Sequence, residues 1–91
     1  MSDPIISAIV PNFNHAQYLP RSLGALLNQP LLPCEIIVVD DASTDKSLEV
    51  LQSFARQHPI IRVLLNEKNL GCNASMNRAM AHARGDYVLF T

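Results

Sequence analysis

The most constraining feature of the sequence is an apolar run, Glu35-Ile36-Ile37-Val38-Val39, that ends abruptly at Asp40-Asp41. β-Branched residues favour strands, and a strand that is apolar at nearly every position is typical of a parallel sheet with both faces covered. Consecutive parallel strands need a crossover, usually a helix, to connect them. The run therefore predicts an α/β domain.

The rest of the chain supplies the alternation that such a domain requires. Short apolar runs predict further strands at residues 5–10, 61–65 and 87–90. Pro11 is expected to stop the first strand, and Gly85 the third helix. The predicted order is βαβαβαβ, a mostly parallel sheet flanked by helices with right-handed crossovers. Apolar residues at helical spacing predict the three helices: Leu19, Leu23, Leu26 and Leu27; Leu48, Leu51, Phe54 and Ala55; Met76, Ala79, Met80 and Ala83.

Length and composition exclude several classes of protein. The chain has 91 residues, 48% of them apolar and 16% charged, which predicts one small folded domain or part of a larger one. The net charge is −1 without a basic run, so nucleic acid and anionic membranes are poor partners. No apolar stretch approaches the roughly 18 residues of a membrane span. Without a visible secretory signal, a cytoplasmic location is expected.

Common catalytic and metal-binding motifs are also absent. Neither a glycine-rich phosphate loop nor a GxSxG nucleophile motif occurs. Cys34 and Cys72 lack the spacing of a zinc site or disulfide framework and are expected to be free, partly buried thiols. His15, His58 and His82 are not at metal-ligand spacing. We therefore predict neither a catalytic residue nor a metal ligand within this sequence.

Polar residues follow each of the first three strands, at the edge where open parallel sheets bind ligands. Asn and Asp can hydrogen-bond a base or ribose, and a phenylalanine ring can pack against a base, so these positions predict a nucleoside site. The alternative is that the polar residues only shape turns and the ring fills the core. The candidate binding residues are Pro11, Asn12, Phe13, Asn14, Asp40, Asp41, Asn69 and Gly71.

Several blocks of the sequence, in order, resemble the inverting family 2 glycosyltransferases, which have the GT-A fold. The resemblance covers essentially the whole chain, and its most specific block is the one around Asp40 and Asp41. The blocks are Ile9-Val10-Pro11-Asn12-Phe13-Asn14, Leu26-Leu27-Asn28-Gln29, residues 35–45 with Leu48, Asn69-Leu70-Gly71, Ala74-Ser75-Met76-Asn77 and residues 83–90.

The resemblance implies a domain that binds a nucleotide-sugar donor, most often a UDP-sugar, and transfers the sugar to an acceptor hydroxyl with inversion. Pro11 and Phe13 would lie along the nucleoside, and Asp41 would meet the base with Asp40 beside it. Asn69 and Gly71 would border the same cleft. Some family members carry Arg where this chain has Met76, which weakens any expectation of a basic residue reaching the donor from there.

The end of the sequence within a predicted strand suggests that residues 1–91 are the N-terminal nucleotide-sugar-binding part of a larger domain. In the family, a DxD-type pair that holds Mg2+ or Mn2+ follows this strand, and the catalytic base lies further on. Both would lie beyond Thr91, so the chain alone is expected to be inactive. An incomplete sheet also predicts self-association. The full-length protein is expected in the cytoplasm, at the cytoplasmic face of the membrane.

Two other functional classes are open. Ile37-Val38-Val39-Asp40-Asp41 looks like the acidic pair of a phosphorylation-dependent receiver, although no acceptor Asp follows the third strand. The chain could also be a non-catalytic α/β interaction module whose strand-end residues are only turn formers.

Overall fold

The computed structural model describes residues 5–30 and 32–90, and its elements alternate as the sequence predicts. The seven elements are β1 (Ile6–Asn12), α1 (Leu19–Asn28), β2 (Glu35–Asp40), α2 (Ser47–Gln57), β3 (Ile61–Leu65), α3 (Cys72–His82) and β4 (Tyr87–Phe90).

The four strands form one parallel sheet in the order β3-β2-β1-β4. Successive side chains point to opposite faces, so the apolar strands feed two separate cores. On one face Ala8, Val10, Ile36 and Val38 pack with residues of α1 and α2, including Leu23. On the other face the alternate residues of β1 and β2 pack with Ala79 of α3. Helices on both faces explain why β2 is apolar throughout.

The first strand continues two residues beyond its predicted end at Val10, through Pro11 to Asn12. Asn12 accepts a hydrogen bond from the Asp41 N–H at 2.8 Å, so its backbone faces β2. Pro11 therefore faces the other neighbour, β4, whose pairing covers only Ile6 to Ile9. β4 does not reach Pro11, so the missing N–H of the proline breaks no hydrogen bond between the two strands, and β1 tolerates the proline.

Two residues assigned to apolar helix stripes are exposed: Leu48 at 37% and Met80 at 48%. Each lies one position, or about 100° around the helix, from a residue that is fully buried, Ser47 and Ala79 respectively. On α3 the buried residues, Ser75 and Ala79, are both small, which lets this helix approach the sheet closely; on α2, Ser47 shares the buried face with Leu51. Cys34 and Cys72 are free as expected, but both are exposed rather than partly buried.

A buried carboxylate, Glu35, joins several segments at the amino ends of the strands. Its Oε2 accepts hydrogen bonds from the Ser7 hydroxyl at 2.7 Å and the Arg84 N–H at 2.6 Å. Its Oε1 pairs with Arg62 at 3.3 Å. Burial alone would raise the pKa of Glu35, but these bonds outweigh it and lower the pKa.

Gly85 lies after the end of α3, where the chain crosses close to β1. A Cβ at this position would lie 2.7 Å from the Ser7 N, so only glycine fits without a shift. In the part of the chain that the structure describes, no helix is both long enough and apolar enough to cross a membrane.

Candidate nucleotide-binding site

The carboxyl ends of β1, β2 and β3 meet at one edge of the sheet and bring the predicted polar residues together. Parallel pairing continues past the strands: besides the Asp41 contact to Asn12, the Asn66 N–H donates to the Asp40 carbonyl at 2.9 Å. Asn12, Asp40, Asp41 and Asn66 are all buried. The edge is therefore an ordered polar cluster rather than a set of solvated loops.

Asp40 holds the loop after β2. Its Oδ1 accepts hydrogen bonds from the Asn12 amide at 2.9 Å and the Ser43 hydroxyl at 2.6 Å, and its Oδ2 accepts the Ser43 N–H at 3.0 Å. With both oxygens engaged by neighbouring segments, Asp40 shapes the turn.

Asp41 binds a different set of donors. Its Oδ1 accepts hydrogen bonds from the Leu70 N–H at 2.7 Å and the Asn66 amide at 3.0 Å, and its Oδ2 accepts the Gly71 N–H at 2.9 Å. The Leu70 N–H and then the Asn66 amide hold the pKa of Asp41 below its usual range. The two adjacent carboxylates therefore have separate sets of donors.

Asn14 connects the loop after β1 to the loop after β2. It adopts the left-handed region, with φ of 53°, which asparagine tolerates better than most residues. Its Oδ1 accepts hydrogen bonds from the N–H groups of Thr44 at 2.8 Å and Asp45 at 3.2 Å. The Asp45 Oδ2 in turn accepts a hydrogen bond from the Ala16 N–H at 3.0 Å, and hydrogen bonding by Ser47 lowers the pKa of Asp45. The two loops are thereby fixed to each other.

A cleft of about 240 Å³ opens between these loops and the start of α3. Four of the predicted binding residues line it, including Asp41 and the ring of Phe13, which is 42% exposed. The alternative, in which the Phe13 ring fills the core, is therefore wrong. The lining residues are Pro11, Asn12, Phe13, His15, Asp41, Cys72 and Ser75.

The remaining predicted residues lie around the cleft rather than in its wall. Asp40 and Asn14 shape its loops, Gly71 donates to Asp41 with φ of 90°, and Asn69 is exposed on the loop before α3. Sequence reasoning did not assign His15, Cys72 and Ser75 to the site. For His15 the signal was its place after β1, whereas Cys72 and Ser75 reach the cleft only because α3 begins beside β2.

The described residues do not form a metal site. Nowhere in residues 5–30 and 32–90 do three or more His, Cys, Asp or Glu side chains gather in a way that could hold an ion. The oxygens of Asp40 and Asp41 are directed at N–H and O–H donors, which compete with a cation for the same lone pairs.

Comparisons with known proteins identify the family. The model of "Glycosyl transferase family 2" matches residues 7–91, and the chain belongs to this family. It is 34% identical over 85 residues to chondroitin synthase of Escherichia coli, covering 93% of this chain and 12% of the relative. This membership places the chain among the family 2 glycosyltransferases and not among the phosphorylation-dependent receivers.

Solved structures show the same fold. The mannosyltransferase PcManGT of Pyrobaculum calidifontis, in complex with GDP-Man and Mn2+, matches with a TM-score of 0.87 and 29% identity, covering 97% of this chain and 27% of its own. TarS 1-349 of S. aureus in complex with UDP-GlcNAc matches with a TM-score of 0.85 and 34% identity, covering 96% and 26%. The fold is that of the GT-A glycosyltransferases.

The chain is much shorter than these proteins. It spans between 9% and 36% of the length of the curated relatives it matches. The match therefore concerns one segment of each relative.

Proposed function

We propose that residues 1–91 form the nucleotide-sugar-binding part of a glycosyltransferase domain and bind a UDP-sugar. The complete protein would transfer the sugar to an acceptor hydroxyl with inversion. The observation that carries this proposal is the cleft in which the Asp41 carboxylate and the exposed Phe13 ring lie together. We propose Pro11, Asn12, Phe13 and Asp41 as the contacts, with Asn14, Asp40, Asn69 and Gly71 shaping its border.

The hydrogen bonds of Asp41 define which bases suit the cleft. A carboxylate offers about four lone-pair sites; the Leu70 N–H, the Asn66 amide and the Gly71 N–H take three of them, and the Ser75 hydroxyl also hydrogen-bonds to this carboxylate. A base N–H would bind at Oδ2 in place of the Ser75 hydroxyl, which can rotate away. Uracil and guanine present a ring N–H on their pairing edge, whereas adenine and cytosine have a bare ring nitrogen there and donate only through an exocyclic amino group, which brings the lone pair of that nitrogen toward the carboxylate. The UDP-GlcNAc complex of TarS and the GDP-Man complex of PcManGT support this chemistry.

Phe13 supplies a surface for stacking. A base stacked on an aromatic side chain gains about 1–3 kcal/mol, measured by substitution with alanine. Because the ring is already exposed beside Pro11, it needs no rearrangement of the core to meet a base. Phe13 would then contribute affinity, and Asp41 the choice of base.

The divalent cation of the complete protein is proposed to be Mg2+ or Mn2+, held by residues outside the described part of this chain. The Mn2+ in the PcManGT complex supports a metal in the family. No step of our proposal depends on the cation, because the cleft described here would hold the nucleoside and not the diphosphate.

The wider setting is proposed from the relatives and the sequence. Similarity to chondroitin synthase supports a role in polysaccharide biosynthesis, with a saccharide hydroxyl as acceptor. We also propose a cytoplasmic location for the complete protein, at the cytoplasmic face of the membrane.

Self-association through β4 is a further part of the proposal. β4 lies at one end of the described sheet, and Tyr87, Leu89 and Phe90 are exposed on it. An exposed apolar edge strand is a template for pairing with a second copy. Light scattering at increasing protein concentration tests this, and a monomer at millimolar concentration contradicts it.

Nuclear magnetic resonance of the isotopically labelled chain tests the nucleotide site. We expect UDP to shift the amide signals of Phe13, Asn14 and Asp41 at lower concentration than ADP or CMP do. GDP is the informative competitor, because guanine also presents a ring N–H but is larger. Addition of Mg2+ should leave the UDP affinity unchanged within about twofold, since no described cluster ligates a metal. Equal shifts with all four nucleotides, or none in a well-dispersed spectrum, would contradict the proposal.

Phe13→Ala measures the stacking contribution. We expect UDP to bind about tenfold more weakly, within the range of a lost base–aromatic contact. Tyr87→Ala is the matched control, because it removes an exposed ring from the opposite end of the sheet. If both variants weaken UDP equally, or neither does, Phe13 does not hold the base.

A further inference from the structure

Arg78 of α3 lies behind the cleft and contacts the end of β3. Its Nη1 donates to the Leu65 carbonyl and to the Asn66 Oδ1, both at 2.7 Å. The Asn66 Nδ2 in turn donates to the Asp41 Oδ1 at 3.0 Å and to the Ser75 hydroxyl oxygen at 2.9 Å. One chain of hydrogen bonds therefore runs from Arg78 through Asn66 to Asp41.

The chemistry of the two ends fixes the direction of the amide in the middle. Arginine has only donors, and an ionised carboxylate has only acceptors. The buried Asn66 amide satisfies both neighbours only with its oxygen toward Arg78 and its nitrogen toward Asp41. Rotating the amide would place its oxygen against the Asp41 carboxylate and its nitrogen against a guanidinium, which leaves buried groups unpaired.

The charge of Arg78 is not taken up by an acid. Within the described ranges the one ion pair joins Arg62 to Glu35, so the Arg78 guanidinium has no carboxylate partner within 4.0 Å there. Within the described residues, its hydrogen bonds go to two neutral oxygens at the base of the cleft. An arginine placed in this way polarises the amide that it contacts and strengthens the next hydrogen bond in the chain.

We propose that Arg78 is a positioning residue of the nucleoside site, which holds the Asp41 carboxylate oriented and ionised through Asn66. Arg78 does not line the cleft and would not touch the base. This inference rests on the proposed function and deepens it: the site would accept a base with a ring N–H because Asp41 is kept as a pure acceptor. The lowered pKa of Asp41 agrees with the geometry.

Other titratable groups near Asp41 belong to several elements. His15 and Cys72 line the same cleft from the β1–α1 loop and from α3. Asp40 is the last residue of β2 and directly precedes Asp41. The β3–α3 loop carries Glu67 and Lys68, which line a hollow together with Arg78. A control must therefore separate the hydrogen bond of Arg78 from the plain effect of a nearby positive charge.

The test compares Arg78→Met with Lys68→Met. Each variant removes one positive charge, the first from α3 and the second from the loop before it, and both residues line the same hollow. In the chain without nucleotide, carbon-13 signals of the Asp41 carboxyl group are followed against pH. We expect the pKa of Asp41 to rise in Arg78→Met and to stay near that of the unaltered chain in Lys68→Met. Arg78→Lys keeps a donor-only group and is expected to restore part of the difference.

Binding of UDP gives the second readout. Arg78→Met is expected to weaken UDP about fivefold, comparable to one net hydrogen bond, and to weaken ADP much less. Lys68→Met should leave the preference for UDP over ADP unchanged. If Arg78→Met does not fold, the comparison of Arg78→Lys with Lys68→Met decides the question in the same way.

Equal changes in the pKa of Asp41 in Arg78→Met and Lys68→Met would overturn the proposal, as would no change in either. The pKa readout needs no nucleotide, so it stands even if UDP does not bind. Failure of UDP to bind the unaltered chain would instead contradict the proposed function. The two failures are thus distinguishable.

Discussion

The two ends of the sheet each hold buried carboxylates, but they use them differently. At the amino end, Glu35 receives donors from β1, β3 and the segment after α3, and its neighbour Gly85 leaves no space for a Cβ. At the carboxyl end, Asp41 receives three donors and still borders a cleft of about 240 Å³ beside an exposed ring. The first arrangement closes the fold, and the second leaves a carboxylate in the wall of an open cleft.

The difference shows that a buried carboxylate is not by itself a sign of a ligand site. Glu35 and Asp41 both have a lowered pKa for the same kind of reason, hydrogen bonds from neighbouring segments. A hollow also lies beside Glu35, lined by Arg62 and Arg84 among others, but the residues that line it include no aromatic ring. The surroundings of each carboxylate, rather than its pKa, separate structure from function.

The largest expected effect is at the amino end. Gly85→Ala would press a methyl group against backbone and side-chain atoms of Ser7, 2.7 Å away, and should destabilise the fold by about 3 kcal/mol. Urea unfolding measures the change. Gly24→Ala is the control: it lies within α1, nothing lies within 4 Å of its Cβ position, and it should stabilise by about 1 kcal/mol. Equal midpoints for both variants would contradict the close contact.

Paired substitutions at the two ends separate stability from binding. Glu35→Gln leaves the Arg62 charge unpaired and should cost about 2 kcal/mol in urea unfolding, with UDP affinity unchanged within about twofold. Asp41→Asn puts an amide where an acceptor is needed and should weaken UDP at least about tenfold. A loss of UDP binding in Glu35→Gln, or full binding in Asp41→Asn, would remove the distinction between the two ends.

The smallest effect is the response to acid. The folded-state pKa of Glu35 lies below its ordinary value of 4.5, so the unfolded chain takes up this proton first as the pH falls. Its contribution to stability is complete above about pH 4.5 and is lost as the pH falls through the folded pKa. The pKa values of Asp41 and Asp45 are also lowered, from an ordinary value of 3.8, so their contributions to stability are likewise lost as the pH falls.

Unfolding free energies measured from pH 7 to pH 3 would test this order. The unaltered chain should lose stability below about pH 4.5, and Glu35→Gln should lose less over the first part of that range. Identical pH profiles for the two proteins would show that Glu35 does not titrate as its contacts require.

The fold was predictable because its signals are local. The apolar run of β2 indicates two covered faces, and Leu19, Leu23 and Leu26 are buried where helical spacing places them. The predictions for Leu48 and Met80 were wrong because each directly follows a fully buried small residue, Ser47 or Ala79, and so points away from the helix face that packs on the sheet. Hydropathy alone marks large apolar side chains and gives no reason to centre a face on serine or alanine.

The site was predictable only in part, because its geometry depends on contacts between distant segments. Asp40 and Asp41 are adjacent in sequence, yet Asp40 binds the turn that follows it and Asp41 binds the loop before α3. The sequence alone does not distinguish these two roles. Likewise, nothing local to Arg78 indicates that it binds the Asn66 amide across the end of β3. These roles follow from the sheet register, which is fixed by the whole fold.

The position of β1 in the middle of the sheet also bears on how the chain folds as it is synthesised. Of the four described strands β1 is synthesised before the others but pairs with the last of them, β4, and the N–H of Asp86 donates to the carbonyl of Ile5 at 2.7 Å across most of the described sequence. Contacts so far apart in sequence form slowly, because a long loop must close before they contribute. Among these strands β1 therefore waits longest for its second neighbour, and during that wait its edge is open to chaperones or to other chains.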